Sequence, residues 1–408
     1  MASKPTNFRT FAQKNMNTIL RLLPGKEKPL LRFHPWVFSG AVANAPKDIA
    51  DGALVCIQDD KGAFLAWAHH QKGGSIIAKV ISFEDVAIDL KFWEQKLSTA
   101  LELRKHLNLW KNPKQTLCRL VHAEGDGLPG LVIDLYDRVA VLQAHSLAIH
   151  QERQVIATAL QNVLGKDFLQ AIYHKPAQEA FGKGEYLYQS VQEPAKVALE
   201  NALSFHIDWE KGQKTGFFID QSENRKLLAQ YAQGKKVLNT FCYSGGFSLY
   251  ALQAGASEVH SIDSSASAIA LLEKNLLLNA QSINTAAHKS FTQDVMKHLA
   301  ETTEMYDIII LDPPAFAKHL SAQHKAVQAY KKLNAQALQK IKPGGFLFTF
   351  SCSQVVNTPL FVGAVRAAAI ESGRKVQILH ELRQSPDHPV NIFHEESAYL
   401  KGLVLRVL

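Results

Sequence analysis

"KKVLNTFCYSGGFS", residues 235–248, decides the fold. An apolar run leads into two glycines that open a helical pattern, which predicts a buried strand turning directly into a helix. Further runs of the same kind follow: "EVHSID" (258–263), "YDIIILD" (306–312), "GFLFTFS" (345–351) and "KVQILHEL" (375–382). Near-continuous apolar strands are expected where helices cover both faces of a sheet. Helical patterns lie between them. "ASAIALLEKNLLLN" (266–279) carries Ile269, Leu272 and Leu276 at helical spacing, and "AVQAYKKLNAQALQKI" (326–341) stops at Pro343-Gly344-Gly345. Alternation of strand and helix with short loops predicts an α/β doubly wound parallel sheet.

Upstream the pattern changes. "HPWVFSGAV", "ALVCIQD", "GAFLAWAHH" and "SIIAKVIS", all before residue 83, are short β-branched or aromatic runs between turn residues, the spacing of a small barrel. "DLKFWEQKLSTALELRKHLNL" (89–109) places Leu90, Trp93, Leu97, Leu101 and Leu103 near one helical face. Strands around a Gly/Pro turn follow in "CRLVHAEGDGLPGLVIDLYDRVAVLQAH", then the helical "HQERQVIATALQNVL". Residues 185–218 alternate like extended hairpins. The expected division is a basic tail with a barrel over 1–88, a central mixed α/β domain over 89–195, and the doubly wound domain over 196–408.

The 408 residues are 47% hydrophobic and 20% charged, ordinary for a soluble globular chain long enough for several cores. No apolar run approaches membrane-spanning length, and the amino terminus lacks the pattern of a secretory signal. Cys56, Cys118, Cys242 and Cys352 are scattered without paired spacing, which argues against a zinc site or a disulfide framework and for a reducing cytoplasm. The net charge is +8, and residues 1–34 carry seven Lys/Arg against the single acid Glu27. Such an excess points to a polyanion, nucleic acid above all, and Arg9, Lys14, Arg21, Lys26 and Arg32 can grip phosphate or form a solvated tail. The His69–His70 pair has no further ligand-type partners, so no metal site is expected.

Open α/β sheets bind ligands at the carboxyl ends of their strands. Gly245 and Gly246 let backbone approach a ligand and aim helix amides at an anionic group, although close helix–strand packing explains them too. Asp263 ends the second strand, where a carboxylate can accept from both ribose hydroxyls of a nucleoside; capping the next helix is its plainer role. "YSGGFS" is not the G-x-G-x-x-G of a dinucleotide site. Asp294 follows the third strand and can accept from an adenine amino group, and Asp312 ends the fourth in "ILDPPAF". This layout resembles Rossmann-type S-adenosylmethionine-dependent methyltransferases, whose sheet closes with an antiparallel strand that "AYLKGLVLRVL" is placed to supply. One departure is Asn239, where an acid often ends the first strand.

The proline pair of "DPPAF" fixes an extended loop that can hold a planar heterocycle, with Phe316 nearby. Such a loop serves methylation of an exocyclic nitrogen or of pyrimidine carbon 5. The second chemistry needs a thiolate adding at carbon 6. Cys352, in "SCS" at the end of the strand next to that of Asp312, is the candidate nucleophile, and a buried inert cysteine is the alternative. Cys242 reads as structural.

Taken together, these motifs resemble the bacterial large-subunit (23S) ribosomal RNA cytosine-5 methyltransferases that carry an N-terminal PUA domain. "RLLPGKEKPLLRFHPWVFSGAV", "AEGDGLPGLVIDLY", "GQKTGFFIDQSENR", "LNTFCYSGGFSLYAL", "LDPPAFAK", "FTFSCS" and "DHPVNIFHEESAYLKGL" carry the likeness in order. The resemblance implies a PUA barrel, a central domain and a Rossmann-like class I methyltransferase domain, with S-adenosylmethionine as cofactor and ribosomal RNA as partner. It implies Cys352 as nucleophile and Asp312 at the base. Cofactor contacts would come from Tyr243, Ser244, Gly245, Gly246, Asp263 and Asp294, with Thr215, Phe218, Asp220, Gln221 and Arg225 lining the pocket. Ser222 and Ala315 depart from the family's usual Arg and Lys. Asp387 and His388 either border the base pocket or form a turn before Pro389. A base-nitrogen methyltransferase with an idle Cys352, and a non-catalytic RNA-binding assembly factor, remain as rival readings. The oligomeric state, a homodimer included, stays open.

Overall fold

The computed structural model describes residues 18–43, 48–317 and 319–408, so Arg9 and Lys14 lie outside the described residues. The chain forms two compact units. The first takes Met1–Lys196 together with Asp208–Gly216 and Pro386–Ser397. The second takes Val197–Ile207, Phe217–Ser385 and Ala398–Leu408.

The first unit holds two five-stranded sheets. Strands β1 (Ile19–Arg21), β2 (Trp36–Phe38), β3 (Leu54–Gln58), β4 (Phe64–His70) and β5 (Ile76–Ser82) run in the order β1-β3-β4-β5-β2. Their alternating burial, as in Leu54–Gln58, fits a sheet with one face on its own core. The second sheet joins β6 (Leu117–His122), β7 (Leu131–Tyr136), β8 (Val139–Ala144), β9 (Ala171–Pro176) and β10 (Glu185–Gln189). Against it pack α2 (Leu90–His106), which follows the one-turn α1 (Lys28–Leu31), and α3 (Leu147–Leu164). Side-chain caps start both long helices: Asp89 accepts from Phe92 N and Ser146 from Ile149 N. The face of α2 differs from the expectation at one position. Arg104, rather than Leu103, is fully buried, held by the Asp126 carboxylate at 2.6 and 2.9 Å.

In the second unit the hairpin β11 (Val197–Glu200) and β12 (Leu203–His206) precedes a seven-stranded sheet. Its strands are β13 (Lys236–Thr240), β14 (Glu258–Asp263), β15 (His288–Thr292), β16 (Tyr306–Leu311), β17 (Ile341–Ser351), β18 (Val376–Leu382) and β19 (Lys401–Val407). The order is β15-β14-β13-β16-β17-β19-β18, parallel except for β19, which runs antiparallel to both neighbours. The doubly wound sheet and its antiparallel closing strand are therefore as expected. The strand order reverses between β13 and β16, and a ligand crevice forms at such a switch point.

Helices α4 (Ser222–Ala232), α5 (Gly246–Gln253) and α6 (Ala266–Leu278) pack as one group. Helices α7 (Val295–Glu301), α8 (Gln323–Gln339) and α9 (Thr358–Glu371) form another. Between them the sheet is dry: Ile308, Ile309, Ile310 and Leu311 of β16 have no exposure at all. Each such side chain stabilises the fold by roughly 1.5–3 kcal/mol. One strand corrects its reading. "KVQILHEL" is not doubly covered, because β18 is the sheet's outer edge and leaves Ile378 and Leu379 exposed.

Candidate active site

Five strand ends of the second unit carry the residues at issue, and the loop after β13 is the most constrained. Phe241 (φ 53°), Tyr243 (φ 44°) and Gly245 (φ 79°) all lie in the left-handed region. Two non-glycine residues held there store backbone strain of the kind that clusters at functional sites. The turn is pinned by Cys242 N donating to Ile262 O (3.0 Å), Gly245 N to Cys242 O (2.8 Å) and Tyr243 N to Asp263 Oδ2 (3.0 Å). Both glycines are closely packed, and the left-handed φ of Gly245 also favours glycine. A Cβ on Gly245 would sit 1.9 Å from Leu272 Cδ1, and one on Gly246 2.9 Å from Arg225 Cδ. Close packing therefore accounts for both, while the Tyr243 amide separately ties the strained loop to the Asp263 carboxylate.

Asp263 serves this loop and the next helix at once, since its Oδ1 accepts Ser265 N at 2.9 Å. A carboxylate has about four lone-pair sites, so accepting two amides leaves capacity for ribose hydroxyls. Asp294 is exposed and caps α7, accepting Lys297 N at 2.8 Å. Asn239 is buried and donates to Ser248 Oγ at 2.8 Å. Burial pushes the Cys242 thiol well above its ordinary range, which suits a structural cysteine.

The segment carrying Phe218 to Arg225 contributes in four ways. The Phe218 ring meets Tyr243 edge-on, with centroids 5.3 Å apart. Gln221 Nε2 donates to Asp312 Oδ2 at 3.0 Å, and Asn224 Nδ2 holds Gln221 Oε1 at 2.6 Å. Arg225 is buried in a fork with Glu200, two bonds of 2.7 Å, and also donates to Phe218 O at 3.0 Å. Asp220 is buried and accepts Tyr399 Oη at 2.5 Å. Thr215 belongs to the first unit, where its hydroxyl bonds the Asp134 carboxylate and the Tyr136 hydroxyl. Asp387 and His388 are likewise buried in the first unit: Asp387 Oδ2 accepts Arg119 N at 2.8 Å, and its Oδ1 lies 2.8 Å from His388 Nδ1. His69 and His70 of the same unit are buried too.

The loops after β16 and β17 lie side by side. Strands β16 and β17 pair with Leu311 opposite Thr349, so Asp312 and Cys352 leave neighbouring strands at the same end. Ser353 Oγ donates to Ala317 O at 2.7 Å, tying the two loops together. Tyr330, from α8, packs against the first of these loops, its ring 4.7 Å from that of Phe316. Burial pushes its phenol up to about 12, and the charges of Cys352 and Asp312 act in the same direction. Cys352 itself is half-buried, unlike the enclosed Cys118 and Cys242.

Sequence reasoning missed Glu200, Tyr330, Tyr399, Ser353 and Lys401. Lys401 left a signal, being a lysine inside the apolar run "AYLKGLVLRVL".

A sheet of this order, with a glycine turn after its first strand and an acid at the end of its second, is the framework of a nucleoside-cofactor methyltransferase. The chain belongs to the S-adenosylmethionine-dependent methyltransferase family, whose family model matches residues 129–406, and a PUA-like domain matches residues 20–83. Within that family it is similar to proteins named "Ribosomal RNA large subunit methyltransferase I". That of Aeromonas hydrophila is 37% identical over 403 residues, covering 96% of this chain and all of the relative. That of Escherichia coli O157:H7 is 35% identical over 406 residues, with the same coverage. A Streptococcus mutans structure described as a SAM-dependent methyltransferase superposes with a TM-score of 0.82 at 26% identity, covering 96% of this chain and all of that one. A structure described as a methyltransferase complexed with SAH gives 0.83. The cofactor is S-adenosylmethionine, and the strained loop and Asp263 form a donor and acceptor set that fits it. Among the described residues no helix is long and apolar enough to cross a membrane.

Proposed function

We propose that the chain is a cytoplasmic methyltransferase of large-subunit ribosomal RNA that forms 5-methylcytosine through a covalent adduct on Cys352. The observation that carries this reading is the side-by-side placement of the loops after β16 and β17: Leu311 pairs with Thr349 just before Asp312 and Cys352, and Ser353 Oγ bonds Ala317 O. The names of the relatives and the PUA-like match support ribosomal RNA as the substrate class. The PUA-like domain would help to place the RNA.

Bound in the sheet crevice, S-adenosylmethionine supplies an electrophilic methyl group. Asp263 would hold the ribose hydroxyls and the 241–246 loop the methionine part, with Tyr243, Ser244, Gly245 and Gly246 in contact. Asp294 would face the adenine. Thr215, Phe218, Asp220, Gln221 and Arg225 would shape the pocket, Gln221 and Arg225 through Asp312 and Glu200. The cytosine must leave its stack before a thiol reaches it, so loop or single-stranded RNA is the favoured target.

The Cys352 thiolate adds to carbon 6 while Asp312 bonds the base edge or protonates nitrogen 3. Carbon 5, now enamine-like, would accept the methyl group as the sulfonium S–CH3 bond breaks, leaving the neutral thioether S-adenosylhomocysteine. Loss of the carbon 5 proton to a base restores the carbon 5–carbon 6 double bond and expels the thiolate. Mass spectrometry of large-subunit RNA from cells with and without the gene tests the reading. A 5-methylcytidine absent only from the deletion strain is the expected result. Loss of an N-methylated base instead would sink the carbon 5 assignment, and no methyl difference at all would leave a non-catalytic RNA-binding protein.

A further inference from the structure

Lys401 has no role in the chemistry described so far. It stands on β19 directly opposite Ser351, the last residue of β17. Its side chain is buried, and its ammonium donates to Ser353 O at 2.6 Å and Val356 O at 2.8 Å, two carbonyls of the turn that begins at Cys352. Burying an ammonium is costly unless an anion compensates it. Among the described residues Lys401 makes no ion pair with a carboxylate, and Cys352 is the titratable group that acts on it electrostatically. Burial lowers its pKa while Cys352 raises it.

We propose that Lys401 is the positioning residue of the thiol, fixing the 352–356 turn through two carbonyls and favouring the anionic form of the Cys352 sulfur. The inference rests on the reading of Cys352 as nucleophile. Cys352 and Lys401 on β19 act on each other electrostatically, and Cys352 and Asp312 both act on Tyr330 of α8. A carboxylate such as Asp312 disfavours a thiolate, whereas an ammonium bound to the carbonyls of its turn favours it. Thiols beside lysine titrate below their ordinary range. On ionisation the thiol proton goes to solvent and Lys401 keeps its own.

The test is the pH dependence of iodoacetamide alkylation at Cys352, followed by peptide mass spectrometry on the full chain. The wild type should alkylate with a midpoint below about 8.5, the ordinary value for cysteine. Lys401→Met should raise the midpoint by about one pH unit, slowing alkylation near neutrality about tenfold. Lys401→Gln, which can still donate to one carbonyl, should show the same rise, whereas Lys401→Arg should retain the wild-type midpoint. A wild-type midpoint at or above 8.5, or one unmoved in Lys401→Met, overturns the proposal, and the first of these needs no variant to fold. Neither RNA nor methyl transfer enters this measurement. If Cys352→Ala kept full methyl transfer, the nucleophile reading would fall while the alkylation result judged Lys401 separately.

Discussion

The Ser353 hydroxyl donates to the Ala317 carbonyl oxygen at 2.7 Å, so the turn bearing the thiol and the loop bearing Asp312 are fastened to each other. Both ends of this bond are buried. It holds two groups from separate strands in register, the arrangement that the proposed two-ended attack on cytosine would use.

Ser353→Ala should therefore act on rate more than on folding. Losing one hydrogen bond costs about 1 kcal/mol of stability, while a small displacement of the thiol lowers kcat by about 10- to 100-fold. Urea unfolding and single-turnover methyl transfer on RNA, compared side by side, check this.

Cys352→Ala should abolish methyl transfer, by at least about a thousandfold, because carbon 5 of cytosine is not nucleophilic without the adduct. Calorimetric affinity for S-adenosylmethionine should stay within about twofold of wild type, since the thiol is not expected to hold the cofactor. Residual activity near wild type would point to nitrogen chemistry.

Gln221→Ala takes away the amide that donates to Asp312 Oδ2. A carboxylate freed from that bond loses its fixed orientation, and kcat should fall by about 10- to 100-fold. Cofactor affinity should fall less than kcat, a split read from steady-state kinetics beside calorimetry.

Glu200→Ala strands the Arg225 guanidinium in a dry interior, because both partners are buried. Breaking such a pair costs about 3–5 kcal/mol. The urea midpoint should drop steeply, and Glu200→Asp should recover only part of it.

Acid should weaken the second unit through His288. Burial lowers this imidazole to about 4, with neighbouring His260 adding to the effect, and its Nε2 lies 2.7 Å from Ser261 Oγ. An unfolded histidine titrates near 6.5. Between these values the unfolded chain binds more protons, so stability is full above about 6.5 and drains away as pH falls toward 4. The loss is on the order of 2 kcal/mol after allowance for partial solvent contact. Urea unfolding at pH 7 and pH 5 should show it, and His288→Asn should flatten the slope.

The doubly wound sheet was legible because its strands are covered on both faces and so read as unbroken apolar runs. Asp263, Asp312 and Cys352 stood out for the same reason: each ends such a run. Edge strand β18 misled, since Ile378 and Leu379 are as apolar as any core strand yet face solvent. The partners of Arg225 and Asp220 were not legible. Glu200 lies in a short hairpin 25 positions before Arg225, and Tyr399 lies 179 positions after Asp220. No periodicity links residues that meet only through the tertiary fold. Thr215 shows the same limit: the motif "GQKTGFFIDQSENR" is continuous in sequence, but the chain passes from the first unit to the second between Gly216 and Phe217.

The first unit includes Pro386–Ser397, where Asp387 accepts the Arg119 amide and its carbonyl accepts Arg104 Nη2 at 2.6 Å. During synthesis, then, the amino-terminal half emerges with two buried arginines still lacking their bonds to a segment 268 and 283 codons downstream of them. Its maturation cannot run ahead of translation, and a ribosome that stalls late would release a product lacking those bonds in a part of the protein it had long since finished making.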